Sequence, residues 1–123
     1  MSYPRQNTVQ TGAVGSAADT SASCALPNTE TELPGDQVNA PNAITATQRW
    51  RIKGIVASYT ATPATPGQLV ITDGVFTWTI DVTAVLPLLP LDIQCAAGAE
   101  VDITLSAATG AIGHINVTAE VEG

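Results

Sequence analysis

The side chains that could carry out acid–base catalysis are few in this chain. His114 is the only histidine among 123 residues, and it falls on the polar face of a predicted strand, where a solvated imidazole is the simplest interpretation. A hydrolytic triad would also need a serine on a sharp strand-to-helix turn, and no such turn is visible. No glycine-rich phosphate loop joins a strand to a helix. The sequence therefore predicts that the protein is not an enzyme and has no cofactor.

Three aspartates, Asp81, Asp92 and Asp102, alternate with apolar residues in predicted strands. Carboxylates from three adjoining strands could converge on one sheet face and bind calcium or act as a catalytic pair. Without that convergence they are charges that keep a sheet face soluble, which is the interpretation adopted here. We predict no metal site.

The two cysteines, Cys24 and Cys95, are too few for a disulfide framework or a metal cluster. Cys95 alternates in phase with Leu91 and Ile93, which favours a small core residue. A bond between the cysteines would tie the N-terminal region to the rest of the chain. We expect free thiols, because the first residues show no secretion signal and predict synthesis in a cytoplasm.

The charge balance limits the classes of partner. The chain has 4 basic and 11 acidic residues, a net charge of −7, and only 12% charged residues in total. Phosphate backbones and anionic membranes are disfavoured by this charge, so we expect neither nucleic acid nor membrane as a partner. No apolar run is long enough to cross a bilayer. A surface with so little charge is typical of a protein that packs against other proteins.

The composition changes near residue 47. Over residues 1–47 the large apolar side chains are sparse and have no steady period, while Gly, Pro, Ser, Thr, Ala and Asn fill the intervals. This pattern predicts an extended N-terminal arm, with Leu26 and Leu33 among the apolar pegs that fit sockets on a partner. The alternative is a disordered tail.

Residues 48–58 alternate with a period of two, which predicts a strand. Trp50, Ile52 and Val56 share the apolar face, and Gly54 interrupts it in a way that indicates a bulge or a close approach. The opposite face is a basic stripe formed by Arg49, Arg51 and Lys53.

The basic stripe holds three of the four basic residues, so we expect it to meet carboxylates. These carboxylates could belong to a sister subunit, to a host surface or to the arm. The alternative is a solvated sheet edge whose charges discourage aggregation. The arm's own candidates are Asp19, Glu30, Glu32 and Asp36.

The pair Asp73-Gly74 lies between two β-rich runs and predicts a two-residue hairpin turn. In that register Ile71 pairs with Phe76, and Leu69 pairs with Trp78. The face that this pairing buries consists of Leu69, Ile71, Phe76, Trp78 and Ile80.

The run from Leu86 to Leu91 contains Pro87 and Pro90, which lack ladder donors. We therefore predict a stiff loop in place of a central strand. Leu86 and Leu88 would lose little entropy on docking, which suits a protein interface. The alternative is a loop folded back over its own core.

Two further strands follow, with Val101, Ile103 and Leu105 and then Ile115, Val117 and Val121 as their apolar faces. No helical period is visible. The predicted fold is all-β: a small antiparallel β-sandwich or jelly roll over residues 48–123, preceded by the extended arm over residues 1–47. A core of this size needs oligomerisation or docking for stability.

Between residues 50 and 118 the strands and turns are similar to those of a known group of proteins. The chain resembles small tailed-bacteriophage structural proteins with a β-sandwich, found as capsid cement, decoration or head-fibre proteins. That resemblance implies oligomers that clamp neighbouring subunits of a shell. The matching segments are GIVASY at 54–59, PGQLVITDG at 66–74, IDVT at 80–83, VDITLSA at 101–107 and GHINV at 113–117.

Together, the low charge, the arm and the resemblance predict a cement protein on the outside of a virion. Its expected partners are the major capsid protein and its own copies, as a homodimer or homotrimer. The alternative is a fibre or spike head that binds host glycans. Such a head stacks sugars on exposed aromatic rings, whereas Trp50 and Trp78 both fall on faces predicted to be buried.

Overall fold

The computed structural model describes residues 7–15, 20–29, 35–63, 65–83, 85–108 and 110–123, without the side chains of residues 7 and 85–91. Within these ranges the chain is all-β and contains no helix, as the two-residue periods predict. The strands are β1 (Asn7–Val14), β2 (Ala22–Leu26), β3 (Gln37–Val38), β4 (Arg49–Tyr59), β5 (Gly67–Thr72), β6 (Thr77–Val82), β7 (Val85–Gln94), β8 (Val101–Leu105) and β9 (Gly113–Glu122).

The strands form two antiparallel sheets. Sheet A has the order β3-β1-β9-β4-β7, and sheet B has the order β2-β8-β5-β6. From β4 onward, every connection except the β5–β6 hairpin carries the chain from one sheet to the other. Neighbouring strands in a sheet are therefore mostly distant in sequence, and the fold depends on long-range pairing.

The core lies between the two sheets and consists of the alternate residues of each strand. Sheet A contributes Trp50, Ile52 and Val117, and sheet B contributes Leu69 and Ile103, all of them buried. The apolar faces predicted for β8 and for the start of β9 are confirmed, because period-two patterns report which residues of a half-buried strand face inward.

A β-bulge in β4 confirms the bulge that Gly54 indicated. The pairing of β4 with β9 shifts register between Ile52 and Gly54. Because a bulge adds one residue, the positions that face the core shift by one after it. Ile55 and Ala57 are therefore buried, whereas Val56, which was predicted to lie on the apolar face, is half-buried.

The run with two prolines is a strand, which corrects the predicted loop. β7, which spans Val85–Gln94, pairs with β4. The register of this pairing shifts at two points on β4, once between Ile52 and Gly54 and once between Ile55 and Ala57. It lies at the edge of sheet A. Proline is compatible with that position, because an edge strand has only one neighbour and a shifted register leaves some residues unpaired.

The N-terminal segment belongs to both sheets, which corrects the extended arm predicted over residues 1–47. β1 pairs along its whole length with β9, and β2 pairs with β8. Their inward positions include Ala13, Ala22 and Cys24, all buried. Such small side chains add little hydrophobicity to the sequence, and they are covered only because the opposite sheet lies over them. A boundary at residue 47 therefore does not separate an arm from a folded body.

Gln37 links the two sheets where β2 and β3 meet. Its carboxamide oxygen accepts the Ala25 N–H at 3.0 Å, and its amide nitrogen donates to the Ala25 carbonyl at 2.7 Å. The same nitrogen donates to the Thr11 hydroxyl at 2.8 Å. One side chain thus takes the place of a strand partner at the edge of sheet B and links it to sheet A.

Across the described ranges, no helix is long and apolar enough to traverse a bilayer.

Candidate functional site

The hairpin between β5 and β6 differs in register from the prediction. Ile71 pairs with Trp78 and Leu69 with Ile80, so the predicted partners Phe76 and Trp78 are each displaced by two residues. A displacement of two keeps every side chain on its expected face. It leaves Phe76 in the turn, however, and the prediction that Phe76 is buried is wrong.

The turn is organised by the carboxylate of Asp73, whose residue is only 4% exposed. Its Oδ1 accepts the N–H groups of Val75 at 2.9 Å and Phe76 at 2.8 Å. Its Oδ2 accepts the N–H of Ala96 at 2.9 Å. Asp73 therefore caps its own turn and fastens it to the segment that follows β7.

The hydroxyl of Thr72 and the glycine that follows Asp73 complete the turn. Thr72 Oγ1 donates to the Phe76 carbonyl at 2.9 Å and accepts the Gly74 N–H at 3.1 Å. Gly74 has a φ of 86°, in the left-handed region that favours glycine. We call residues 73–76 the hairpin tip.

The electrostatics of Asp73 agree with this geometry. Burial by itself would raise the pKa of Asp73, but the N–H groups of Phe76, Val75 and Ala96 favour the charged form, and the pKa lies below its usual value. The carboxylate is therefore ionised at neutral pH, the form in which both of its oxygens accept hydrogen bonds.

The hairpin tip presents two large apolar side chains to solvent. Val75 is 68% exposed and Phe76 is 61% exposed. The Phe76 ring contacts the half-buried indole of Trp78, with the centroids 5.9 Å apart and the planes tilted by 48°. Exposed apolar residues on a rigid turn are typical of a contact surface, since little entropy remains to be lost on binding.

Two carboxylates lie beside the hairpin tip, and we call Glu100 and Asp102 the acidic rim. Asp102 is the register partner of Thr72, the residue before the tip. Burial raises the pKa of Glu100, and the charge of Asp102 raises it further. Within the described part of the chain, neither carboxylate takes part in an ion pair.

The basic stripe on β4 pairs with carboxylates of sheet A itself. Arg51 Nη1 lies 3.1 Å from Asp92 Oδ1, and Arg51 Nε donates to Glu122. Lys53 Nζ lies 3.2 Å from the same Asp92 oxygen. The partners come from β7 and β9, the strands on either side of β4. Because β4 is internal, the alternative of a solvated sheet edge is wrong.

These ion pairs shift the pKa of the groups involved. The hydrogen bond from Lys53 and the charge of Arg51 lower the pKa of Asp92, and the hydrogen bond to Glu122 raises the pKa of Arg51. Exposed pairs of this kind add little to stability, because water and salt screen them. They do reduce the charge that β4 can offer to a partner.

The remaining residues predicted for an interface are distributed differently. Leu26 is fully buried in the core, so it is not available as a peg, and that prediction is corrected. Leu33, like Asp19, Glu30 and Glu32, lies outside the described residues. Leu86 and Leu88 lie in β7, but their side chains also lie outside the described part. A contact role for these two leucines, and for Arg49, Arg51 and Lys53, stays a prediction.

The three strand aspartates do not converge. Asp92 lies in sheet A, whereas Asp81 and Asp102 lie in sheet B on β6 and β8, which β5 separates. In the described ranges, no group of three His, Cys, Asp or Glu side chains is placed to hold a metal ion. His114 lies on β9 opposite Ser58 and Val14, half-buried.

Both thiols are free and buried. Burial, with a smaller contribution from Asp102, raises the pKa of Cys24 to about 12. Burial, with the charge of Asp73, likewise raises the pKa of Cys95 to about 12. Thiols in this state are poor nucleophiles and behave as small core residues, as expected for Cys95.

A groove of about 440 Å³ lies beside Trp50, between β1, the end of β9 and the segment before β4. Trp50 itself is fully buried, and its indole N–H donates to the Pro27 carbonyl at 3.1 Å. The indole face is therefore packed in the core and is not offered to a ligand. The groove is lined by Thr8, Val9, Asn42, Ala43, Ile44, Gln48, Trp50 and Val121.

Sequence reasoning placed Phe76 on the buried face and did not single out Val75 as a contact residue. The available signal was the succession Thr72-Asp73-Gly74, because Thr and Asp accept hydrogen bonds from N–H groups two and three residues further along. Recognising that cap would have moved the turn one residue toward the C-terminus and placed Phe76 within it.

Comparison with known proteins assigns no relative: no family model, curated protein or solved structure matches the chain.

Proposed function

We propose that this protein is a non-enzymatic structural protein that binds other protein chains, as a cement or decoration protein on the capsid of a tailed phage. It binds the outside of the major capsid protein shell and clamps neighbouring subunits. On this proposal it is made in the host cytoplasm, acts as a homodimer or homotrimer, and resides on the exterior of the virion.

The strand order supports a jelly roll as the form of the sandwich. With the two-residue β3 set aside, one sheet has the order β1-β9-β4-β7 and the other β2-β8-β5-β6. Eight strands in this order, with every consecutive pair except β5–β6 on different sheets, match the arrangement of two Greek keys in a jelly roll. Jelly rolls are common in viral capsid and lectin domains, so both functions considered for this chain are compatible with the architecture.

The observation that carries the proposal is the rigid, apolar hairpin tip. Burying a side chain such as Phe76 in a partner is worth about 1.5–3 kcal/mol. Ordering the backbone of a flexible loop on binding costs about 1–2 kcal/mol per residue, which would cancel much of that gain. Asp73 fixes the backbone at Val75 and Phe76 before any partner arrives. The tip therefore has the chemistry of an anchor at a protein interface.

The test is binding to empty shells assembled from the major capsid protein of the same virus. Purified protein should sediment with the shells, and images of the complex should show added density outside them. Decorated shells should remain intact at a higher temperature than undecorated ones, because a clamp resists the separation of neighbouring subunits.

Two serine variants distinguish specific binding through Phe76 from non-specific hydrophobic association with the shell. Phe76→Ser should weaken sedimentation with shells, whereas Val14→Ser should not, although Val14 is also an exposed large apolar residue at 43%. Failure of the wild-type protein to sediment with shells, or equal heat survival of decorated and bare shells, contradicts the proposal.

The second candidate is a fibre or spike head that binds host glycans, and the Phe76–Trp78 pair is the observation that favours it. Aromatic rings at a surface provide faces on which sugars stack. A glycan array with wild-type protein and Phe76→Ser tests this candidate. Retention of specific glycans by the wild type alone would favour the glycan-binding head over the cement protein.

A further inference from the structure

We propose that the hairpin tip and the acidic rim bind as one unit, and that their partner is a protein surface with an apolar socket bordered by Lys or Arg. This inference rests on the proposed function and adds the chemistry of the surface that is recognised. It also gives an orientation, with the tip of sheet B toward the shell and the charged face of sheet A away from it.

The two sheets differ in charge, which supports that orientation. The four strands of sheet B contain Asp81 and Asp102 and no basic residue, and Glu100 directly precedes β8. All three basic residues of the stripe lie on β4 in sheet A. The surface around the tip is therefore acidic, and complementary charge on a partner would guide the approach and fix the register.

The acidic rim is close enough to the tip to act with it. Asp102 pairs in register with Thr72, and the N–H of Ala96, in the segment leading to β8, donates to Asp73. The segment that carries Glu100 thus runs alongside the tip. A socket that receives Phe76 would bring its border against these two carboxylates.

A second copy of the chain is a poorer occupant than a different protein. The described basic residues that a second copy could offer are those of β4, and two of these, Arg51 and Lys53, already pair with Asp92 and Glu122. Self-association through the tip would have to break those pairs or meet the two carboxylates of the acidic rim with Arg49 alone. Anionic membranes and nucleic acids are repelled by the same carboxylates.

The experiment measures binding to the empty shells at low and high salt, with two variants and two matched controls. Phe76→Ser removes the anchor, and Asp102→Asn removes one charge of the rim. Val14→Ser removes an exposed apolar side chain from sheet A, and Asp81→Asn removes the same charge from the opposite end of sheet B. Each variant is first compared with the wild type by circular dichroism and thermal unfolding.

We expect Phe76→Ser to weaken shell binding by about tenfold or more, and Asp102→Asn by about threefold to tenfold. Both controls should stay within about twofold of the wild type, as expected for residues outside an interface. High salt should slow association of the wild type more than that of Asp102→Asn. Equal losses for Asp102→Asn and Asp81→Asn, or wild-type binding by Phe76→Ser, would overturn the inference.

A second probe keeps the inference testable if the wild type does not bind shells, in which case the proposed function fails. The probe is a chromatographic matrix whose ligand is a benzyl group on a quaternary ammonium, an apolar ring beside a fixed cation. Phe76→Ser and Asp102→Asn should elute earlier than their matched controls; equal elution overturns the inference. Sedimentation showing a wild-type dimer that Phe76→Ser abolishes would identify a second copy as the occupant and also overturn it.

Discussion

Asp73 in the hairpin tip and Asp92 in sheet A are both paired carboxylates, but they contribute to the molecule in different ways. Asp73 is buried and accepts three backbone N–H groups, so it determines where the chain turns. Asp92 is exposed and meets two flexible cations, Arg51 and Lys53. The backbone N–H groups that bind Asp73 are fixed in place, and losing these buried hydrogen bonds carries a desolvation penalty. The long side chains of Arg51 and Lys53 lie at the surface and can exchange Asp92 for water.

Removing the carboxylate of Asp73 should give the largest loss of stability. Asp73→Ala leaves the N–H groups of Val75, Phe76 and Ala96 without their acceptor, and we expect a loss of about 2–4 kcal/mol in the free energy of unfolding. Urea denaturation measures it, with Asp81→Ala as the matched change at an exposed aspartate. Equal midpoints for the two variants would contradict the assigned role.

The same carboxylate should make stability depend on pH. Because the pKa of Asp73 is lower in the folded protein than in the unfolded chain, its contribution is complete above about pH 4 and is lost as the pH falls through the folded value. Asp73→Asn lacks this dependence. The difference in unfolding free energy between wild type and Asp73→Asn should therefore narrow below about pH 4. A difference that stays constant across that range would contradict the ionised carboxylate.

A change at Gly74 should have an intermediate effect. Gly74→Val places a β-branched residue at a φ of 86° and should cost about 1–2 kcal/mol. Gly35→Val is the control, because neither glycine has an atom within 4 Å of an added Cβ, and only Gly74 has a positive φ. Equal melting temperatures for the two variants would show that the backbone conformation of the turn does not matter.

Breaking the ion pairs of the stripe should change stability less than either turn variant. Arg51→Ala removes the contacts to Asp92 and Glu122, but water reaches all three side chains, which are 27%, 59% and 29% exposed. The small change in melting temperature should disappear at high salt, because screening already weakens the pair in the wild type. A loss as large as that of Gly74→Val would place the stripe among the main determinants of stability.

Phe76→Ser should have the smallest effect on stability. The side chain is 61% exposed, so the free energy of unfolding should change by no more than about 0.5 kcal/mol. Calorimetry of wild type and Phe76→Ser checks this directly. A large destabilisation would mean that Phe76 packs on its own domain, and the contrast between a structural Asp73 and an outward-facing Phe76 would be lost.

The strands after residue 47 could be predicted because the alternation of apolar and polar residues within each strand indicates which side chains are buried. The alternation in Val101–Leu105 and Ile115–Val117 needs no knowledge of a partner strand, and the bulge at Gly54 could be inferred from a single interruption. The strand β1 gives no such signal, because its inward residues include Thr11 and Ala13. Their burial depends on the opposite sheet, which a local pattern does not contain.

The candidate site was predicted only in part. A turn beginning at Asp73 was predicted and is found, but it contains the four residues 73–76 and not the predicted two. The backbone N–H groups of Gly74 and Phe76 donate to the side chains of Thr72 and Asp73, and a two-residue turn rule does not include these bonds. The basic stripe was found on one face of β4, but its partners Asp92 and Glu122 are distant in sequence.

The sequence by itself determined that the described part of the chain is all-β, which residues of β8 and of the start of β9 face inward, and that a turn follows Thr72. These are local properties, set by the two-residue period of a strand and by the conformations open to glycine. The tertiary structure alone decided which strands are neighbours, that residues 7–14 and 22–26 belong to the sheets, and that Phe76 faces solvent. Those properties depend on contacts between segments far apart in the chain, whose free energy appears only when both sheets are assembled.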